Sequence, residues 1–194
     1  AARLKILSVE QIAARLEDQL SFLTTGSLSI LPRHQTLRRV IDWSYDLLSK
    51  PEQGFLCCLS VFVGGWTLEA AEAVCVEVDS AQQVIDLMTS LVDKSLVEVS
   101  EVTGGEARYR MLETMRQYGQ EKLTQAGQLM AVRHSHACYF ADLAEKAEQG
   151  MRDSGMRTWF ERLETEHDNF RKALEWSLGH ETSAFCFRFA PALG

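Results

Sequence analysis

Ser95-Leu96-Val97-Glu98-Val99, then Thr103-Gly104-Gly105, then Ala107-Arg108-Tyr109-Arg110-Met111, is the stretch whose reading decides the fold. Both flanks alternate with period two, which puts every second side chain on one face of a strand. The Thr-Gly-Gly between them is a turn, so the stretch reads as a β-hairpin. The rest of the chain reads as helix. Helices packed ahead of one hairpin are the pattern of a winged helix, so the expected fold is mainly α with one small β element.

Upstream of the hairpin, the helices announce themselves by caps and apolar spacing. Ser80-Ala81-Gln82-Gln83 is a capping box, and the helix behind it carries Val84, Leu87, Met88, Leu91 and Val92. Thr67 caps a short helix over 68–75. Ser49-Lys50-Pro51-Glu52 starts a helix with Pro in its first turn. Its apolar content (Phe55, Leu56, Leu59, Val61, Phe62) marks it as a core element, and Gly64-Gly65 ends it. Before it, a helix is expected over 35–48, with Leu37, Val40, Ile41, Leu47 and Leu48 on one face. Further back, Ser8-Val9-Glu10-Gln11 boxes a helix that Thr24-Thr25-Gly26-Ser27 stops, and Leu28 to Pro32 is a linker.

Downstream, helices are expected over 113–123, 128–148 and 156–178. Each is amphipathic, and Gly150 and Gly155 separate the last two. Long amphipathic helices joined by short turns are the pattern of helical repeats, here the opening of a tetratricopeptide-like region.

The chain has 194 residues and a formal net charge of -7. No run of about 18 apolar residues exists, so no membrane span and no membrane partner are expected. The first residues lack a signal-peptide core and begin inside a helical pattern, which reads as a chain cut from a longer one. Five cysteines, with no Cys-x-x-Cys pair, read as small buried thiols in a reducing compartment, the cytoplasm.

Signatures of chemistry are absent. There is no G-x-x-x-x-G-K-[ST] loop, no G-x-S-x-G elbow and no H-E-x-x-H helix, so no enzyme and no bound cofactor are expected in this chain. His134 and Cys138 share a helix face, but His136 points elsewhere and a third ligand is missing, so no metal site is expected. Glu164, Glu166 and Asp168 read as a solvated acidic face.

A winged helix raises the question of DNA. The helix before the wing offers Gln82 and Gln83, with Lys94 at its end, and the wing offers Arg108 and Arg110. Against this, residues 34–125 hold eight Lys and Arg but fourteen Asp and Glu. DNA affinity rests on cations that neutralise phosphates, so contact with protein is the leading expectation and contact with DNA the alternative.

Certain words of the sequence also resemble a known group. Leu31-Pro32-Arg33-His34-Gln35-Thr36-Leu37, Ile41-Asp42-Trp43-Ser44-Tyr45-Asp46-Leu47-Leu48, and residues 59–71 (LSVFVGGWTLEAA) are similar to bacterial STAND-type signal-transduction ATPases and LuxR/AfsR-type transcriptional regulators. Tyr109-Arg110-Met111-Leu112-Glu113-Thr114 and residues 166–176 (EHDNFRKALEW) resemble the same group.

The resemblance implies a piece lying after a nucleotide-binding domain. Residues 1–32 would end a small helical domain, 33–126 would be the winged helix, and 127–194 would open the helical repeats. It further implies a switch in which the winged helix docks on the nucleotide-binding domain, with ADP or ATP bound in the full-length protein and residues 24–34 as the hinge. A Met-His-Asp motif that senses phosphate in relatives falls on Met111, Leu112 and Glu113, where Leu112 replaces the His. Packing under the wing is the other reading of Met111 and Leu112. Glu113 keeps an acid suited to a helix start. Arg33 and His34 at the hinge are either phosphate ligands or exposed linker residues. The expected function is a non-catalytic interaction module of a signal-transducing regulator that couples nucleotide state to protein partners of the repeats.

Overall fold

The computed structural model describes residues 32–75, 80–103, 106–152 and 156–179. The chain divides into two compact units, residues 1–50 and 51–194. The expected helix after Ser8, its stop at 24–27, the linker to Leu31, the turn glycines Gly104 and Gly105, and Gly155 lie outside the described residues.

In the first unit, α1 spans Pro32–Asp46. It starts earlier than expected, so Arg33 and His34 belong to its first helical turn and not to a linker. Proline suits that turn, where its missing N–H would find no intrahelical acceptor in any case. Ile41 is buried, while Leu37, Val40 and Trp43 are exposed.

The second unit opens with α2 (Lys50–Leu59), β1 (Trp66–Thr67), α3 (Leu68–Val74), α4 (Ala81–Asp93), β2 (Glu98–Thr103) and β3 (Glu106–Arg110). This is a winged-helix arrangement. Helices α5 (Glu113–Gln125), α6 (Leu129–Arg152), α7 (Met156–Thr165) and α8 (His167–Gly179) follow it. Two of the caps read from the sequence form as expected. Thr67 Oγ1 accepts from the Ala70 N–H at 3.2 Å, and Ser80 Oγ from the Gln83 N–H at 3.3 Å.

The sheet has three antiparallel strands in the order β1-β3-β2, where the sequence showed two. Trp66 pairs with Tyr109 and Thr67 with Arg108. A two-residue strand is too short to alternate, so periodicity did not reveal it. The strand before the turn also starts later than expected, at Glu98. The Leu96 and Val97 N–H groups both return to the Leu91 carbonyl, and Ser95 has φ 58°, so residues 95–97 finish α4 instead of pairing.

The core runs from the winged helix into the helices behind it. Phe62, Trp66, Phe140 and Phe170 are all at most 2% exposed. Phe62 stacks on Trp66 at 5.6 Å, and Phe140 meets Phe170 edge-on at 5.3 Å. Helix α5 crosses α2 closely: a Cβ on Gly119 would come within 2.7 Å of Ser60 Cβ. Gln120 Nε2 donates to the Ser60 carbonyl there at 2.9 Å.

Two expectations are corrected. Cys58 and Cys75 form a disulfide, with Cα atoms 5.8 Å apart. Cys58 lies near the end of α2 and Cys75 caps α3, so folding brings together two residues whose spacing is no motif. The expected helix over 156–178 is two helices, interrupted at Glu166.

Candidate nucleic-acid interface

Helix α3 and helix α4 form the helix-turn-helix, and β2–β3 form the wing. The buried stripe of α4 is Val84, Leu87, Met88 and Leu91. Its outward face therefore carries Ala81, Gln82, Ile85, Asp86, Thr89 and Asp93. This face holds two carboxylates and no Lys or Arg. Beside it, a groove of about 170 Å³ runs between α4 and the sheet, lined by Leu68, Ile85, Met88, Val92, Val99 and Tyr109, with Thr89 and Asp93 as its polar members.

The residues proposed for DNA do not gather in one place. Gln82 and Gln83 occupy the first turn of α4, where Gln82 Nε2 donates to Asp86 Oδ1 at 3.1 Å. Lys94 caps the opposite end, roughly 18 Å away along the helix axis. Lys94 and Ser90 both donate to Glu52, a buried carboxylate of α2, so Lys94 ties α4 to the core.

The two wing arginines diverge. Arg110 is exposed and donates from Nε to Glu98 Oε2 at 3.0 Å. Arg108 is turned into the molecule. It forks onto both oxygens of Glu166 and reaches the Gly65 and Thr165 carbonyls at 3.3 Å. The Arg108 and Glu166 side chains are 15% and 5% exposed. Glu166 was expected on a solvated face, and the structure places it inside.

Around that pair lies a buried polar cluster the sequence reading missed. Asn169 is fully buried. Its Nδ2 donates to the Gly65 carbonyl at 2.9 Å and to Glu166 Oε2 at 2.7 Å. Its Oδ1 accepts from the Val63 N–H at 2.8 Å and faces His136 Nε2 at 3.4 Å. With Oδ1 accepting, the proton of the neutral imidazole sits on Nε2. Burial pushes the His136 ring down to about 4, only partly offset by the bond to Asn169. A signal for the cluster existed: Glu166, Asn169, Phe170, Ala173 and Ser177 keep the spacing of one buried helix face. Three polar residues in that phase demand partners.

The residues proposed to sense nucleotide are placed as follows. Met111 is half-buried. Leu112 is 63% exposed and occupies the N-cap of α5 without a side-chain bond, so it does not pack under the wing. Glu113 opens the helix. Arg116 donates to it through Nε and Nη2, both at 2.7 Å, and Gln117 adds a bond at 2.8 Å. The Arg116 bonds are the main reason its carboxyl is held at about 2. Arg33 and His34 lie in the first unit, in α1.

His134 Nε2 lies 3.5 Å from Cys138 Sγ, while His136 faces the core. Among the described residues, no group of three His, Cys, Asp or Glu is gathered as for a metal ion. No described helix is long and apolar enough to cross a membrane.

Comparison with known proteins bears on this arrangement directly. Residues 48–124 match the winged helix-turn-helix domain family. That span runs from the residues before α2 into α5, so it contains the helix-turn-helix and the wing.

A Mycobacterium tuberculosis protein (strain H37Rv), provisionally named an HTH-type transcriptional regulator, is 41% identical over 187 residues. The match covers 95% of this chain and 21% of that protein. A Mycobacterium bovis protein with the same provisional description matches to the same extent. An uncharacterized Mycobacterium tuberculosis protein is 38% identical over 134 residues, 68% of this chain and 34% of its own length. The chain thus spans about a fifth of the first relatives and a third of the last. No solved structure matches it.

Proposed function

We propose that this chain is the winged-helix segment of a transcriptional regulator, without catalytic chemistry of its own, and that it contacts duplex DNA. The observation that carries the proposal is the helix-turn-helix and wing inside residues 48–124, the span matched by the winged helix-turn-helix family. The names of the mycobacterial relatives support the same reading. On this reading Gln82 at the start of α4 and Arg110 on the wing touch the duplex, whereas Arg108 and Lys94 support the fold. Such a regulator works in the cytoplasm, where the chromosome is.

With no Lys or Arg on the outward face of α4 and Arg110 exposed on the wing, the salt dependence of binding is shallow, a slope of roughly -1 to -2 in log K against log salt. The test is fluorescence anisotropy of a random-sequence duplex from low to physiological salt. Salt-sensitive binding that weakens in Arg110→Ala supports DNA contact. Absence of binding at the lowest salt removes it.

A second reading has its own observation. The outward face of α4 carries Asp86 and Asp93 and no base, beside an apolar groove. That face fits a protein surface better than a polyanion. The sequence resemblance extends this reading to a nucleotide-binding domain upstream, with ADP or ATP bound there, and to residues 127–194 as the start of repeats that meet further protein partners. The family description and the relatives' names say nothing of a nucleotide, so that extension rests on the resemblance alone. Its test is binding of this chain to the parent protein's nucleotide-binding segment with ADP and with ATP. Equal or absent binding under both removes the switch.

A further inference from the structure

Neither reading above gives residues 166–169 (EHDN) a contact to make. Three other elements converge on them. The loop between α2 and β1 contributes the Val63 N–H and the Gly65 carbonyl, β3 contributes Arg108, and α6 contributes His136.

Three features make this a device rather than a chance contact. Asn169 uses both its donors and both its acceptor positions, each on a different group. Gly65 has φ 107°, and a Cβ there would meet the Tyr109 carbonyl at 2.6 Å, so the loop lies this close to β3 only with glycine. Glu166 interrupts the helix between α7 and α8, so a change in the angle between those helices moves the carboxylate that holds Arg108.

We propose that Arg108, Glu166 and Asn169 form a latch through which the wing and the start of α8 open and close as one cooperative unit. Loss of either half leaves the other with buried polar groups that no longer have partners, and a buried charge left alone is costly. The wing is therefore held by the helices behind it as well as by its own strand pairing. A movement of α7 against α8 reaches the wing by way of one guanidinium.

Native-state hydrogen exchange on the whole chain tests this. In the unchanged protein, amides of residues 106–110 and 167–173 share one opening free energy, and it lies below that of the α4 amides. In Arg108→Met, exchange rises about tenfold or more in residues 167–173, and in Glu166→Gln it rises comparably in residues 106–110, the factor expected for losing a bond to a charged group. Different opening free energies in the unchanged protein overturn the proposal. So does one common value shared with α4, which would be global unfolding. An increase confined to the substituted element overturns it as well. If a variant does not fold, the measurement on the unchanged chain decides alone.

Discussion

Arg108 and Arg110 leave β3 two residues apart, on the same face of the sheet, and each meets a glutamate. The Arg108 pair is shut inside, with side-chain exposures of 15% and 5%, and Asn169 Nδ2 adds a bond to the same glutamate. The Arg110 pair stands in solvent, at 64% and 49%. Residue type, strand and pairing partner are the same. What differs is that α8 comes down on one and nothing among the described residues covers the other. An arginine on a wing is therefore a phosphate ligand or a structural tie according to what packs against it.

The largest effect that sharpens this contrast comes from breaking the inner pair. Glu166→Ala leaves the Arg108 guanidinium buried without its carboxylate and should cost about 3–5 kcal/mol of unfolding free energy. Urea melts followed by circular dichroism measure it. A loss under 1 kcal/mol, no greater than an exposed pair gives, would erase the distinction between the two sites.

Next comes acid. The folded protein keeps His136 neutral down to about pH 4, whereas an unfolded histidine takes up a proton near 6.5. The unfolded chain thus binds the extra proton between these values. Stability is complete above about 6.5 and falls as pH drops toward 4, by on the order of 3 kcal/mol. Glu113, held at about 2, gives way only at lower pH, below the ordinary 4.5, so the two contributions separate. His136→Phe should flatten the pH 4–6.5 limb and leave the more acidic limb in place. A limb unchanged by that substitution would remove His136 from the cluster's energetics.

The Cys58–Cys75 disulfide ties α2 to α3 within the winged helix. With a sequence separation of 17, reduction or Cys58→Ser should lower stability by about 3 kcal/mol. It should do so without changing the relative exchange of the wing and α8. A reductant-insensitive melt would contradict this expectation.

The smallest effect is at the outer pair. Arg110→Ala should cost only about 0.2–1 kcal/mol of stability. If the chain contacts DNA, the same change should make the slope in log K against log salt shallower by about one unit. A large loss of stability there would mean that the outer pair is structural after all.

Much of the fold was legible in the sequence. Thr67 and Ser80 cap helices where their side chains predicted it, and the stripe Val84, Leu87, Met88, Leu91 is buried as its spacing required. The two strands expected on either side of residues 104–105 pair antiparallel, with Val99 opposite Tyr109. Local rules set these features, because capping and periodicity act within one turn or one pleat. The candidate site was less legible. Gln82 and Arg110 are exposed as a DNA contact requires, whereas Lys94 is paired with Glu52 and Arg108 is turned inside. Nothing within a few residues of Arg108 announces Glu166, 58 positions on.

By itself the amino-acid sequence determined where Thr67 and Ser80 start helices, which stripe of α4 turns inward, that two strands pair as a hairpin and that the helix before the wing is acidic. These follow from short-range sterics, hydrogen bonding and the spacing of apolar side chains. Only the tertiary structure decided that a two-residue strand would edge the sheet, that Cys58 would meet Cys75, and which of two equivalent arginines would be buried. Those outcomes depend on what distant parts of the chain bring to one point, and no local pattern records that.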